Sequence, residues 1–134
     1  MYLGKPMSQE TQNDFERLVV DYFQRHRTEL RLTDPTFKRD GFIIMATMMG
    51  TGGRVEIRCG PAEYHAEVFI IDQDNKRWTL TDLLNVNAVR TWMMQNRPSI
   101  LGRSPLEAEI DCALCLLAVG LKGVSGFEWL YGSA

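Results

Sequence analysis

Apolar residues recur with a helical period near the start of the chain. Between residues 8 and 29, five of them fall at positions i, i+3, i+4, i+7 and i+8: Phe15, Leu18, Val19, Tyr22 and Phe23. This spacing lines one face of a helix. Ser8 or Thr11 can cap the start, and the basic residues at 25–27 suit the negative end of the helix dipole. The pattern predicts an amphipathic helix over residues 8–29.

The hydrophobic pattern becomes strand-like after Leu30. Four short runs, separated by turn residues, are candidate strands: residues 42–49, 54–59, 63–71 and 76–80. Asp34-Pro35 and Arg39-Asp40-Gly41 read as turns before the first run. Because only a few residues separate successive runs, hairpins should connect them. We expect an antiparallel meander of three to four strands.

Charged residues predict a register between the runs at 54–59 and 63–71. If Gly60-Pro61 is the turn, every facing pair is complementary or neutral, and each pair contributes about 0.2–1 kcal/mol. The facing pairs are Arg58 with Glu63, Glu56 with His65, and Arg54 with Glu67. A shift by two residues would set Glu56 against Glu67. We call these six side chains the charged row and expect it to be exposed: Arg54, Glu56, Arg58, Glu63, His65 and Glu67.

Helical signals return in the last third of the chain. One helix is expected over about 87–96, ending before Pro98, and a second over about 105–119, where Ser104 and Pro105 mark the start. The aromatic tail at 127–131 should dock as a last strand or turn. No repeat or linker interrupts the chain, so residues 1–134 are predicted to form a single α+β domain: an N-terminal helix, the meander and two C-terminal helices.

Composition limits the functional class. The chain has 134 residues, 45% of them hydrophobic and 24% charged, which is typical of a soluble globular domain. The net charge of -2 provides no overall positive field, so a nucleic-acid partner is not expected. An acidic chain would instead be steered onto a basic protein. Three cysteines form no closed disulfide framework, and no run has the length of a signal or membrane segment. We expect a cytoplasmic protein with no membrane association.

Three residues of the charged row offer the main candidate for catalysis. Glu63, His65 and Glu67 would lie about 6–7 Å apart along one strand face, where they could hold a divalent metal or share protons. The alternative is a solvated sheet face neutralised by Arg54 and Arg58. A metal site normally draws its ligands from several elements, so we favour the second interpretation and predict no metal, cofactor or catalytic residue.

The other candidate motifs are interpreted as structural. Cys112 and Cys115 have C-x-x-C spacing but lie within an apolar helix, where thiols behave as small buried hydrophobes. Cys59 could pair with His65 or His26, although no oxyanion-hole motif surrounds it. Basic residues at 25–27, with Arg31, are explained by a helix C-terminus.

Strand 42–49 has more apolar surface than one core requires. Apolar residues lie on both faces: Phe42, Ile44, Ala46 and Met48 on one, and Ile43, Met45 and Met49 on the other. Met93 and Met94 beside Trp92 add to this surface. Either helices cover both faces of the sheet, or part of the surface meets a partner.

Two segments resemble a known class of proteins. The octapeptide Arg77-Trp78-Thr79-Leu80-Thr81-Asp82-Leu83-Leu84, followed by Val89-Arg90-Thr91-Trp92, resembles small cytoplasmic immunity proteins of bacterial polymorphic toxin systems. The resemblance covers residues 14–95. It implies a non-enzymatic protein that binds a cognate toxin and blocks its active site or docking surface, and it carries over no individual functional residue.

A second resemblance gives an alternative function. The length, acidity, N-terminal amphipathic helix and sheet are similar to dimeric chaperones of type III secretion effectors, although the apolar helix at 105–119 departs from their usual ending. Both resemblances imply a binding protein, with a homodimer compatible with either. A small metal-dependent enzyme using Glu63, His65 and Glu67 is the third hypothesis. If a protein partner is bound, we expect the charged row to contact it.

Overall fold

The computed structural model describes residues 8–40, 43–60, 66–83, 91, 94–95, 104–122 and 124–131. The described residues form an α+β fold. We number the helices and strands within them in chain order: α1 (Gln9–Arg25), β1 (Thr36–Asp40), β2 (Ile43–Met49), β3 (Gly53–Cys59), β4 (Ala66–Asp72), β5 (Arg77–Thr79), α2 (Leu80–Leu83), α3 (Pro105–Gly120) and a 3₁₀ helix (Glu128–Leu130).

Helix α1 confirms the periodicity of the N-terminal segment. Ser8 caps it by accepting a hydrogen bond from the backbone N–H of Thr11 at 3.2 Å. The helix ends at Arg25, four residues before the predicted end, because the His26 backbone N–H turns back onto the Phe23 carbonyl at 3.0 Å. All five apolar residues of the predicted stripe are buried: Phe15, Leu18, Val19, Tyr22 and Phe23.

The sheet has five strands rather than three or four. They are antiparallel and lie in the sequence order β1-β2-β3-β4-β5, so the predicted meander is correct in type. Strand β1 occupies a segment that we expected to end in a turn at residues 39–41. Only Phe37 within it is apolar. Its ring packs edge-on against the ring of Phe15 in α1, with 6.2 Å between the ring centres. One apolar side chain in five residues is too little periodicity to predict a strand.

The predicted register between β3 and β4 is wrong by four residues. Arg58 lies opposite Glu67, Glu56 opposite Phe69 and Arg54 opposite Ile71. The last described pair of this ladder is Cys59 with Ala66, so the register is not centred on Gly60-Pro61 as predicted, and residues 61–65 lie outside the described residues. A shift by an even number keeps each side chain on its predicted face. The register thus places apolar residues, instead of the expected polar partners, opposite two of the three charged residues of β3, Glu56 and Arg54.

The two faces of the sheet have different surroundings. The inner face packs against α1 and α3 in one hydrophobic core, to which it contributes Ile44, Ala46, Met48, Val55, Ile57, Cys59, Val68 and Ile70. We call the opposite side the outer face. By alternation and register, it comprises Thr36, Lys38, Asp40, Ile43, Met45, Thr47, Met49, Arg54, Glu56, Arg58, Glu67, Phe69, Ile71, Arg77 and Thr79.

The C-terminal segment closes the inner side of the fold. Helix α3 starts as predicted, with Ser104 Oγ accepting the Glu107 backbone N–H at 3.1 Å. The predicted helix at 87–96 lies outside the described residues, apart from Thr91, Met94 and Gln95, which are helical. The aromatic tail docks as expected, through the 3₁₀ helix and a bridge between Leu30 and Tyr131. Within the described segments, no helix is long and apolar enough to cross a bilayer.

Candidate functional site

The outer face carries an exposed apolar row along β2. The side chains of Ile43 and Met49 are 39% and 49% exposed at the two ends of this strand, whereas their neighbours Ile44 and Met48 are fully buried on the inner face. No described helix is part of this side of the sheet. Among the described residues, the helices that pack in the core cover the inner face alone, and Ile43 and Met49 remain exposed apolar side chains of the outer face.

A buried carboxylate organises the centre of the outer face. Glu56 accepts hydrogen bonds from Arg54 Nε at 2.9 Å and from Arg58 Nη2 at 2.8 Å. The Glu56 side chain is only 6% exposed, whereas the two arginines are 34% and 35% exposed. Our expectation that Glu56 is exposed is therefore wrong: the flanking arginines fold inward over it, and they present their own cationic groups at the surface.

The pKa of Glu56 reflects two opposing effects. Burial raises the pKa of this carboxyl, but hydrogen bonds from Arg54 and Arg58, together with their positive charge, lower it by more. The net result is a pKa below its ordinary value, so Glu56 is ionised at neutral pH. A partner meeting this face therefore encounters the arginines rather than the carboxylate.

Two arginine side chains also pack against the Phe69 ring of β4. The guanidinium carbons of Arg58 and Arg77 lie 4.9 and 4.8 Å from the centre of the Phe69 ring, within cation–π distance. Phe69 and Ile71 are 9% and 3% exposed and do not belong to the main core. They form a second, small apolar layer on the outer face, and long arginine stems are well suited to cover such a layer.

The structure brings four members of the charged row together. Arg54, Glu56 and Arg58 follow one another along β3, and Glu67 lies opposite Arg58 on β4. The remaining two, Glu63 and His65, lie outside the described residues, so the proposed Glu63–His65–Glu67 arrangement is not described. Among the described residues, no three histidine, cysteine or acidic side chains are grouped as metal ligands.

The structure also reveals a cysteine–histidine contact that the sequence analysis missed. Cys115 Sγ of α3 lies 3.5 Å from His26 Nε2 at the end of α1, and His26 Nδ1 lies 3.1 Å from Glu29 Oε2. The contact joins residues 89 positions apart, and we had considered only Cys59 as a partner for His26. Cys59 is instead fully buried on the inner face.

This thiol is poorly suited to nucleophilic chemistry. Burial raises the pKa of Cys115 to about 12, and the negative charge of Asp111 adds to the effect. Its S–H group donates to Asp111 Oδ1 at 3.4 Å, which further favours the neutral thiol. Burial likewise raises the pKa of Cys112 to about 11. Both cysteines of the C-x-x-C pair are thus held as protonated thiols, in keeping with the structural interpretation.

Comparisons with known proteins add no assignment. No family model, curated protein or solved structure matches this chain. The outer face is therefore interpreted from its own geometry and chemistry.

Proposed function

We propose that this chain is a binding protein that neutralises a cognate bacterial toxin or effector by forming a stoichiometric complex, as immunity proteins do. We further propose that it binds through the outer face of its sheet. The observation that carries this proposal is the exposed row of Ile43 and Met49 beside half-exposed Arg54 and Arg58.

The residue types of this face support a role in protein binding. Methionine and arginine are enriched in the centres of protein interfaces, and methionine adapts its shape to a partner surface. Arg54 and Arg58 are held by Glu56, so they lose little conformational entropy on association. A flat sheet face of this kind would block a toxin by covering its active site or docking surface.

The test is co-expression with the protein encoded immediately beside this chain. The neighbour is expected to be toxic alone and to be silenced in a one-to-one complex. The double variant Ile43→Ser/Met49→Ser removes the two exposed apolar side chains of β2. It should lower the affinity of the purified complex by more than about tenfold and abolish protection, because both apolar anchors are lost. Val20→Ser is the matched control, since Val20 is 36% exposed on α1, away from this face.

Other outcomes would replace this proposal. A harmless neighbour that needs this chain for solubility or secretion would indicate a secretion chaperone. A bound divalent metal in the purified protein, lost on mutation of Glu63, His65 or Glu67, would indicate the metal-dependent enzyme. Equal loss of protection in the Val20 control and the double variant would exclude the outer face as the docking surface.

A further inference from the structure

We infer that the outer face selects an acidic partner: a protein segment whose apolar stripe is bordered by aspartate or glutamate. This inference rests on the proposed docking role of the face. It reverses the expectation, drawn from net charge alone, that an acidic chain seeks a basic partner.

Cations dominate the accessible charge of the outer face. Among the described residues, the face carries four of them: Lys38, Arg54, Arg58 and Arg77. Of the acidic side chains described there, Glu67 is exposed, whereas the Glu56 carboxylate is withdrawn from the surface by its two arginine partners. The whole chain is at -2, so the positive balance of this face is opposite in sign to the rest of the molecule.

Cations flank Met45, in the middle of β2, on both sides, whereas Asp40 is the β1 residue opposite Ile43. Lys38 lies opposite Met45 across the β1–β2 pair, while Arg58 lies opposite Met45 and Arg54 opposite Met49 across the β2–β3 pair. A complementary surface therefore has a central apolar stripe with negative charge on each side. Opposite arrangements of charge across an interface favour correct partners and repel those with like charge.

The donors available on this face match carboxylates. A guanidinium has five N–H donors in a planar fork, and each of Arg54 and Arg58 uses one on Glu56 in the bonds described above. Arg58 Nε is buried with no hydrogen-bond partner. Within the described residues, Lys38 and Arg77 have no carboxylate within ion-pair distance. Carboxylates on a partner would supply exposed Lys38 and Arg77 with charge-assisted hydrogen bonds, whereas the buried Arg58 Nε is out of their reach.

The inference is tested with a synthetic probe that needs no knowledge of the natural partner. A fluorescein-labelled amphipathic peptide with a leucine stripe bordered by glutamates is titrated with the full-length protein at low salt, with fluorescence anisotropy as the readout. The same peptide with lysine in place of glutamate and a single-stranded oligothymidine serve as comparisons. We expect the glutamate peptide to bind at least about tenfold more tightly than the lysine peptide.

Charge-reversal variants locate the binding. Lys38→Glu and Arg77→Glu should each weaken binding of the glutamate peptide by about threefold to tenfold, because each replaces attraction with repulsion, Lys38 beside the β2 row and Arg77 on the edge strand β5 of the same face. Arg31→Glu is the control, since Arg31 is an exposed cation between α1 and β1 and should change binding by less than about twofold. Unchanged melting temperatures would show that the variants remain folded.

Several results would overturn the inference. These are equal binding of both peptides, binding of neither, tighter binding of oligothymidine than of the glutamate peptide, or equal losses in Arg31→Glu and Lys38→Glu. The docking proposal fails separately, through the Ile43→Ser/Met49→Ser variant in the co-expression test. If that variant loses protection but the wild-type protein shows no preference for the glutamate peptide, the proposed docking surface is supported and only the inference of an acidic partner is rejected.

Discussion

Glu56 shows how one buried carboxylate can organise a surface without forming part of it. A lone buried charge is unfavourable, yet here hydrogen bonds and positive charge from two partly exposed arginines offset the cost of burial. Glu56 fixes the positions of both arginines, and one of them, Arg58, packs against the ring of Phe69. The same residue is therefore expected to matter for stability and for the preorganisation of the outer face.

We predict that Glu56→Gln lowers the free energy of unfolding at pH 7 by about 1–3 kcal/mol, because charge-assisted hydrogen bonds to both arginines are weakened. The folded-state pKa of Glu56 lies below the ordinary value of 4.5. Its contribution is therefore fully present above that pH and is lost as the pH falls through the lower, folded-state value. Urea denaturation measured across this acidic range should show a smaller pH dependence for the variant than for the wild-type protein.

Glu10→Gln is the control for this acid titration. Glu10 is an exposed carboxylate in the first turn of α1, so its loss should change stability by no more than about 0.5 kcal/mol. If both variants keep the wild-type pH dependence, Glu56 is not the group that links this region to acid stability.

At the scale of elements, the turn between β2 and β3 is built around a tryptophan. A Cβ added to Gly50 or Gly52 would lie 2.6 or 2.5 Å from the ring of Trp129, which follows the buried Phe127 in the C-terminal tail. At Gly53 an added Cβ would meet the Ile71 backbone carbonyl and the same ring. The glycines thus permit close docking of the tail on the hairpin, a role distinct from that of a phosphate-binding loop.

We predict that Gly52→Ala destabilises the protein by about 1–3 kcal/mol, because the methyl group overlaps with Trp129. The loss should be smaller when Gly52→Ala is introduced into a Trp129→Leu background, which makes room for the methyl group. Gly126→Ala is the comparison for backbone effects, since Gly126 has φ +96° but open space around its Cβ position. If urea denaturation shows that the stability losses of Gly52→Ala and Trp129→Leu simply add in the double variant, the packing explanation is contradicted.

How well each element could be predicted depended on how local its signal was. Helix α3 was predictable from Ser104 and Pro105, because capping acts within one turn. Strand β1 was not, since Phe37 is its only apolar residue and its pairing with β2 supplies the rest of its stabilisation. The β3–β4 register was predicted from charge pairs of about 0.2–1 kcal/mol, which are too weak to determine it against the packing of Val68 and Ile70.

For the candidate site, the sequence predicted which face each residue lies on but not the contacts between side chains. Strict alternation on β3 correctly placed Arg54, Glu56 and Arg58 on one face. Their mutual hydrogen bonds and the burial of Glu56 depend on rotamers and neighbouring strands, which alternation does not encode. The contact between Cys115 and His26 depends on the packing of α1 against α3, so no local motif could have indicated it.

At the scale of the whole molecule, the helices on one side of the sheet give its two faces different surroundings. Met48 and Met49 are adjacent on β2 but face opposite sides of the sheet, with exposures of 0% and 49%. Met48 packs in the core with residues of α1 and α3, whereas Met49 lies on the outer face opposite Arg54. The same substitution at these neighbouring positions should therefore have opposite consequences.

We predict that Met48→Ala lowers the free energy of unfolding by about 2–5 kcal/mol, because it leaves a cavity in the core. Met49→Ala should change stability by less than about 0.5 kcal/mol, since its side chain remains half in solvent. Binding should show the reverse: the folded Met48 variant keeps its affinity for the neighbour-encoded partner, while the Met49 variant loses about tenfold. Urea denaturation and calorimetric titration on the same two proteins measure both effects. Equal stability losses at the two positions would contradict the assignment of the two faces, and full affinity in the Met49 variant would remove that residue from the docking surface.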